Sequence, residues 1–215
     1  VLSDNILLLF VFWELTTITS YLLIGFNHEK EQSRHKALQA LLVTGSGGLA
    51  LLAGLILLGQ IAGSYEIGVI ISQAAVIAQH HWFIPSLVLI LIGAFTKSAQ
   101  FPFHFWLPNA MAAPTPVSAL LHAVAVVKAG VFTMLKVGIY IFGIDFLAQT
   151  GASQWLMWIA AYTILAASII AMTKDNLKAR LAYSTISQLA YITLGAMIAT
   201  SFAIVGGGVQ IIMHA

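Results

Sequence analysis

At positions 94–108 the chain reads AFTKSAQFPFHFWLP, an apolar run that contains Lys97 and, five residues later, Pro102. The run ends a longer apolar segment, 83–108, which has the length of a membrane-crossing helix. Proline lacks a backbone N–H and its ring clashes with the preceding turn, so a helix kinks or breaks there. We therefore predict a membrane helix that is broken near Pro102, with a lysine close to the break.

The composition of the whole chain agrees with a membrane location. Of its 215 residues, 60% are hydrophobic and 7% are charged, whereas soluble domains carry roughly 25% charged residues. The few cations are spread between apolar runs and form no concentrated basic face, which nucleic-acid binding requires. We predict an integral membrane protein that lies in a lipid bilayer and has no nucleic-acid partner.

Apolar segments of sufficient length recur along the chain. A membrane-crossing helix needs about 20 apolar residues at ~1.5 Å each. The predicted spans are 5–26, 38–61, 83–108, 116–142, 154–173 and 180–201, and a seventh begins near 203. Residues 63–82 are compatible with a short helix in the membrane interface. The expected fold class is all-α: a polytopic transmembrane helix bundle, in which residues 1–215 form a single transmembrane domain that is incomplete at both ends.

The distribution of cations indicates how many times the broken segment 83–108 crosses the membrane. With one crossing, the loops 27–37 and 174–180 share a side and hold six Lys and Arg residues, while the loops 62–82 and 143–153 hold none. With two crossings, the six cations would split three and three. Since cytoplasmic loops carry an excess of Lys and Arg, we predict one broken crossing, with 27–37 and 174–180 in the cytoplasm.

Three ionisable side chains fall near the middle of their predicted spans: Glu14, Lys97 and Lys128. An unpaired charge at this depth costs about 2.5–3.5 kcal/mol or more, and such residues usually face the bundle interior and mark ion or proton pathways. A lysine held between desolvation and a nearby carboxylate can gain or lose a proton when that partner moves. The pattern favours a proton relay, and a static Glu–Lys pair that locks the bundle is the structural alternative.

Histidines extend this set of candidates. His122 lies about two turns into the fourth predicted span, and His214 lies in the seventh. Imidazole both accepts and donates a proton near neutral pH, which suits a relay. His104 follows the predicted break, where it either caps freed carbonyl groups or serves the same pathway.

Other chemistry has little support in the sequence. The run GSGG at 45–48 favours close helix packing in lipid, and it lacks the G-x-S-x-G spacing of a serine hydrolase. The chain contains no cysteine, no zincin motif and neither of the glycine-rich nucleotide-binding motifs. We predict no metal site, no cofactor, and no redox or hydrolytic chemistry on this chain itself.

Several runs resemble one family, the antiporter-like subunits of Mrp-type cation/proton antiporters and of respiratory complex I. These runs lie at 12–16, 97–102, 106–111, 113–123 and 177–189. The resemblance implies an inverted-repeat transporter fold in a bacterial inner membrane. It also implies a hetero-oligomer whose partners are other antiporter or complex I-type membrane subunits, and which carries H⁺ and Na⁺.

The resemblance extends to single residues. Glu14, Lys97 and His122 match a glutamate, a lysine on a broken helix and a histidine that form the entry half of the family's proton channel. In the family, the glutamate modulates the affinity of the lysine for protons. His214 matches a histidine on the central hydrophilic axis, while Gln210 replaces a second histidine of the family pattern.

The segment 13–36 and the run VVKAG around Lys128 are more similar to the large A-type and D-type Mrp subunits than to complex I. The predicted function is therefore that of a proton-translocating subunit of a multi-subunit Na⁺/H⁺ antiporter. The alternative is a proton-pumping subunit of NADH:quinone oxidoreductase or of a related membrane-bound hydrogenase, in which case the chain would belong to an enzyme complex. A purely structural membrane scaffold is a third possibility.

Overall fold

A computed structural model describes residues 3–121, 126–144, 147 and 153–214, and this part of the chain is a bundle of helices. The helices are α1 (Ile6–Ile24), α2 (Glu31–Ala62), α3 (Ile67–Ser72), α4 (Ala74–Ile77), α5 (Phe83–Lys97), a 3₁₀ turn (Phe103–Phe105), α6 (Trp106–Ala110), α7 (Thr115–Ala119), α8 (Val126–Lys136), a π-helix (Val137–Phe142), α9 (Gln154–Met172), α10 (Leu177–Met197) and α11 (Ser201–Met213). The predicted all-α class is confirmed.

Local sequence signals set the helix ends. The side-chain oxygen of Asn5 accepts hydrogen bonds from the N–H groups of Leu7 at 2.9 Å and Leu8 at 3.1 Å and so caps α1. Asn176 caps α10 in the same way. The C-terminal end of α2 is set by Gly63, whose φ of 67° lies in the left-handed region that glycine adopts without steric cost.

Three helices in the described part are long and apolar enough to cross a membrane: α1, α2 and α9. Two further apolar helices, α5 and α11, are shorter. The 32 residues of α2 begin at Glu31 rather than at the predicted position 38, because hydropathy locates only the part of a helix that lies in lipid. The total number of crossings stays a prediction.

The predicted break in the third apolar segment is confirmed, but it begins before Pro102. Helix α5 ends at Lys97, and Ala99 adopts a left-handed φ of 53°. The N–H of Gln100 then donates to the carbonyl of Phe95 at 3.1 Å, and the N–H of Ala99 donates to that of Thr96 at 3.2 Å. This pair of bonds is a Schellman motif, which ends the helix and satisfies its last carbonyl groups.

Helices α2 and α5 approach each other closely through glycines. A Cβ added at Gly54 would lie 2.7 Å from Ile90 Cγ1, and one added at Gly93 would lie 2.7 Å from the carbonyl oxygen of Gly47. The hydroxyl of Ser86 crosses the same interface and donates to the carbonyl of Gly54 at 2.8 Å. Small residues that let two backbones touch are typical of helix packing in lipid; within the 45–48 run, Gly47 and Gly48 make close contacts and Gly45 does not.

The two ends of the bundle differ in charge. At one end, Asn109 Nδ2 donates to Gln39 Oε1 at 2.8 Å and Lys178 Nζ donates to the carbonyl of Ala113 at 3.2 Å. These bonds bring the start of α2, the segment after α6 and the start of α10 together, and with them the six loop cations. At the other end, the N–H of Ile67 donates to the carbonyl of Asp4 at 2.7 Å. The broken segment thus packs along α2 from Gly54 to Gln39, and a single membrane crossing by it stays a prediction.

Two of the predicted elements differ in detail from the elements in the structure. The short helix expected in 63–82 is a pair of helices, α3 and α4. The fourth predicted span, 116–142, is not one regular α-helix, because α8 passes into a π-helix at Val137. A π-helix pairs each N–H with the carbonyl five residues earlier, a change of register that hydropathy does not report.

Candidate functional site

Lys97 forms the centre of the site. Its side chain is fully buried, with 0% of its surface exposed. The Nζ atom donates to Thr17 Oγ1 at 2.6 Å and to the carbonyl oxygen of Trp13 at 3.2 Å, and it lies 5.1 Å from the centre of the Trp13 ring. Both oxygens are neutral, and the ring face adds a cation–π contact. Since α1 runs from Ile6 to Ile24, these partners place the Lys97 amine at about the middle of α1.

Glu14 lies next to this cluster without a direct ion pair to Lys97. The Glu14 carboxyl group is half-buried and lies beside the hydroxyl of Thr17, within electrostatic range of Lys97. Within the described residues, the salt bridge that falls inside 4.0 Å is the surface pair His35–Glu31 at 3.5 Å. The structure therefore brings the predicted Glu–Lys pair together as neighbours, with Thr17 between them.

One oxygen of the Glu14 carboxyl group has no hydrogen-bond partner among the described residues, although it is buried. A buried carboxylate oxygen without a partner is costly, so this group is suited to change its position or its protonation state. Gly48 of α2 provides the space that the carboxyl group occupies, because a Cβ at that position would overlap Glu14 Oε1. The adjacent Gly47 leaves space for the hydroxyl of Thr96.

Lys128 and His214 form a second group. Lys128 is half-buried on α8, and His214 ends α11 within electrostatic range of it. Helix α8 packs directly against the break, since a Cβ at Gly130 would lie 2.7 Å from the backbone nitrogen of Ser98. The predicted site residue His122 lies outside the described residues.

His104 lies just after the break and stacks on an aromatic ring. Its imidazole lies 3.6 Å from the ring centre of Phe101 at an interplanar angle of 14°, and 6.2 Å from that of Tyr183. Its Nδ1 atom is buried and has no hydrogen-bond partner among the described residues. The imidazole nevertheless lies near the backbone carbonyl of Pro102 at the break, so capping of a freed carbonyl group stays one of the two roles predicted for His104.

The sequence did not predict two polar contacts of the site. Thr17 binds the amine of Lys97, and the only sequence signal for it is a hydroxyl on the turn that follows Glu14. Gln188 accepts a hydrogen bond from Gln210 Nε2 at 2.5 Å and so joins α10 to α11.

No group of three or more His, Asp or Glu side chains that could hold a metal ion occurs among the described residues. The site instead consists of protonatable side chains on separate apolar helices, arranged around a helix break. Long apolar helices, a broken helix and a buried lysine at the break are features of a polytopic membrane protein, and a buried charge at a broken helix is common among transporters.

The chain belongs to the family described as NADH:quinone oxidoreductase/Mrp antiporter, transmembrane region, which matches residues 3–215. This membership confirms the resemblance inferred from the sequence runs and makes the chain an integral membrane protein.

Two curated relatives are similar over most of the chain. The probable A/B subunit of a K(+)/H(+) antiporter from Rhizobium meliloti (strain 1021) is 47% identical over 216 residues, which cover 100% of this chain and 21% of the relative. The A subunit of the Na(+)/H(+) antiporter from Bacillus subtilis (strain 168) is 47% identical over 197 residues, which cover 89% of this chain and 23% of the relative. The chain therefore spans about a fifth of the length of these relatives.

Two solved structures share the fold. The Mrp complex from Dietzia sp. DQ12-45-1b matches with a TM-score of 0.86 and 37% identity, over 99% of this chain and 23% of its own. The membrane-bound sulfane sulfur reductase, an archaeal respiratory membrane complex, matches with a TM-score of 0.83 and 25% identity, over 99% of this chain and 43% of its own. The predicted antiporter-like fold is confirmed.

Proposed function

We propose that this chain is the proton-translocating part of one subunit in a multi-subunit monovalent cation/proton antiporter, with Na⁺ as the exchanged cation. The observation that carries the proposal is the fully buried Lys97 at the end of a broken helix, beside but not paired with Glu14. The names of the relatives support the class of function, and they differ in the cation, K⁺ in one and Na⁺ in the other.

The proposed chemistry depends on the separation of the two charged groups. An ammonium at Lys97 is stabilised when the Glu14 carboxylate approaches it and is destabilised when the carboxylate withdraws. Neutral oxygens of Thr17 and Trp13 accept from the amine, and under this proposal they would do so in both states. Movement of Glu14 would therefore load and unload a proton at Lys97 while the amine stays in place.

Beyond Lys97, the proton would pass to Lys128 and the two histidines, His122 and His214. Support for this order comes from α8, which carries Lys128 and packs against the break at Ser98. His214, at the end of α11, also lies within electrostatic range of Lys128. Both residue types can hold and release a proton.

The proposal includes a location and partners. The complete protein would lie in a bacterial inner membrane with other antiporter-type membrane subunits, and loops 27–37 and 174–180 would face the cytoplasm. The concentration of six Lys and Arg residues in these two loops supports this orientation. A single cysteine introduced in each of these loops, labelled from one side of sealed vesicles, tests it.

The function is tested with the full-length protein and its partner subunits in everted vesicles from an antiporter-deficient host. A respiratory substrate establishes the pH gradient, Na⁺ or K⁺ is added, and collapse of the gradient is recorded. We expect collapse with the wild type and none with Lys97→Ala or Lys97→Arg, since arginine keeps the charge but does not release a proton. Lys136→Arg, on α8, is the matched control and should behave as wild type.

Normal exchange by a correctly assembled Lys97→Arg complex would refute a proton-carrying role for Lys97. Normal exchange after neutralising Glu14 and Lys97 together would favour the structural scaffold instead.

A redox-driven proton pump is the second candidate, which the fold match to the membrane-bound sulfane sulfur reductase favours. In that case the same buried charges would respond to electron transfer on other subunits. Proton movement that requires NADH or another reductant, and that a quinone-site inhibitor stops, would identify this function. Na⁺-dependent collapse that is insensitive to such an inhibitor would exclude it.

A further inference from the structure

A polar cavity of about 350 Å³ opens at the cation-bearing end of the bundle. Three lysines line it, Lys30, Lys36 and Lys178, together with the amide side chains of Asn27, Gln32 and Asn176. We propose that this cavity binds the phosphodiester headgroup of an anionic phospholipid. The proposal is independent of the proton-translocating function.

The lining of the cavity has the charge that a phosphate requires. Its lysines come from two separate parts of the chain, the start of α2 and the start of α10, and converge on one space. Acidic side chains are present at this end of the bundle but do not line the cavity, and Glu31 pairs with His35 instead at 3.5 Å. Convergent ammonium groups with amide donors between them are a typical environment for a phosphate oxygen.

One of the three lysines is already held in position. Lys178 Nζ donates to the carbonyl of Ala113 at 3.2 Å, which fixes the amine at the cavity. An ammonium group has three donors, so two remain for a ligand. Lys36 is also half-buried, which restricts its side chain more than that of a fully exposed surface lysine.

Two large, exposed apolar side chains are direct sequence neighbours of residues that line the cavity, and they favour a lipid over a soluble anion. Phe26, next to Asn27, is 65% exposed, and Leu177, next to Lys178, is 67% exposed. Acyl chains attached to a bound headgroup would cover such side chains, whereas inorganic phosphate would leave them exposed. The cavity also lies at the helix ends, the level at which headgroups meet a membrane protein.

The test uses the full-length protein in its purified complex, depleted of lipid in detergent. Phosphatidylglycerol or phosphatidylcholine is titrated in, and both retained lipid, by native mass spectrometry, and the thermal unfolding midpoint are recorded. We expect phosphatidylglycerol to bind and to raise the midpoint, and phosphatidylcholine to do neither. The triple variant K30Q/K36Q/K178Q should bind phosphatidylglycerol about 100-fold more weakly.

The matched control is R34Q/K174Q/R180Q, which removes three cations from the same end of the bundle, none of which lines the cavity. The control should keep the wild-type affinity for phosphatidylglycerol. Should K30Q/K36Q/K178Q fail to assemble, K30Q/K36Q keeps the Lys178–Ala113 bond and should still bind at least tenfold more weakly. Equal affinity of the cavity variant and the wild type overturns the proposal.

A titration with inorganic phosphate distinguishes a cavity that binds a phospholipid headgroup from one that binds a free phosphate anion. Inorganic phosphate should neither raise the midpoint by itself nor displace phosphatidylglycerol at millimolar concentration. If phosphate alone reproduces the effect, and the cavity variant abolishes it, the cavity is a site for a soluble anion and the lipid proposal is wrong.

Discussion

The Lys97 amine and the Thr17 hydroxyl lie 2.6 Å apart in the interior of the bundle, although 80 residues separate them in the chain. Thr17 also lies beside the carboxyl group of Glu14. A single hydroxyl group therefore contacts both of the ionisable groups at the centre of the candidate site. Any change in the position of Glu14 relative to Lys97 takes place around this side chain.

Replacing Thr17 by valine keeps the shape of the side chain and removes the acceptor for Lys97. A hydrogen bond to a charged group contributes about 1.5–3 kcal/mol, so we expect cation/proton exchange to fall by roughly 10-fold or more. Thr17→Ser keeps the hydroxyl group and should retain most of the exchange rate. Thr19→Val is the control, because the exposed Thr19 hydroxyl donates to carbonyl groups of its own helix at Leu15 and Thr16, away from Lys97. Equal rates for Thr17→Val and Thr19→Val would show that the contact with Lys97 is dispensable.

Gly48 and Gly45 offer a matched pair in α2. The methyl group of Gly48→Ala would overlap Glu14 Oε1, and we expect it to displace the carboxyl group and to slow exchange several-fold while the complex still assembles. Gly45 has no atom within 4 Å of an added Cβ, so Gly45→Ala should keep exchange. It should also stabilise the helix by about 0.5–1 kcal/mol. Exchange assays measure the transport rates, and thermal unfolding of the purified complex measures the stability. A wild-type exchange rate for Gly48→Ala would contradict the predicted displacement of the Glu14 carboxyl group.

Trp106 connects the two sides of the helix break. Its indole Nε1 donates to the carbonyl of Thr96 at 2.9 Å, and its side chain is 1% exposed. Trp106→Phe removes this donor while the carbonyl keeps its bond from the N–H of Ala99, so the loss is that of one hydrogen bond, about 0.5–1.5 kcal/mol. We expect a lower thermal unfolding midpoint, whereas Trp158→Phe, at a 70% exposed position, should leave the midpoint unchanged. Equal midpoints for the two variants would mean that the indole bond contributes nothing.

The hydrogen bond between Gln188 and Gln210 predicts energetic coupling between α10 and α11. Side-chain hydrogen bonds between membrane helices contribute about 0.6 kcal/mol on average and up to about 1.7 kcal/mol. In a double-mutant cycle with Gln188→Leu and Gln210→Leu, the coupling should fall in this range. Gln210→His keeps a donor for Gln188 and should cost less than Gln210→Leu. A coupling of zero in the assembled complex would refute the contact.

The sequence predicted the helix break but not its position. Pro102 restricts only itself and the residue before it, whereas the end of α5 follows from the left-handed turn at Ala99. An alanine in that conformation has no signature in the sequence, because glycine is the residue expected there. The bond from Trp106 to Thr96 joins residues on the two sides of the break, ten positions apart, so it could not be inferred from local pattern either.

The charged groups of the site were predictable and their contacts were not. Glu14 and Lys97 are conspicuous because charges are rare in apolar spans. Thr17 is not conspicuous, because a threonine in an apolar helix commonly bonds to its own backbone, as Thr16 and Thr19 do in α1. Which hydroxyl meets Lys97 depends on the face that α1 turns toward α5, and this is decided by packing between distant parts of the chain.

The depth of the Lys97 amine has an electrical consequence. Its partners Trp13 and Thr17 lie on either side of the midpoint of α1, so the amine is about halfway along a membrane-crossing helix. A full crossing of one elementary charge is worth about 2.3 kcal/mol per 100 mV. A proton that reaches Lys97 from either face therefore crosses about half of the membrane voltage, which is roughly 1 kcal/mol per 100 mV. Under the proposed function, protonation of Lys97 is sensitive to membrane voltage as well as to pH.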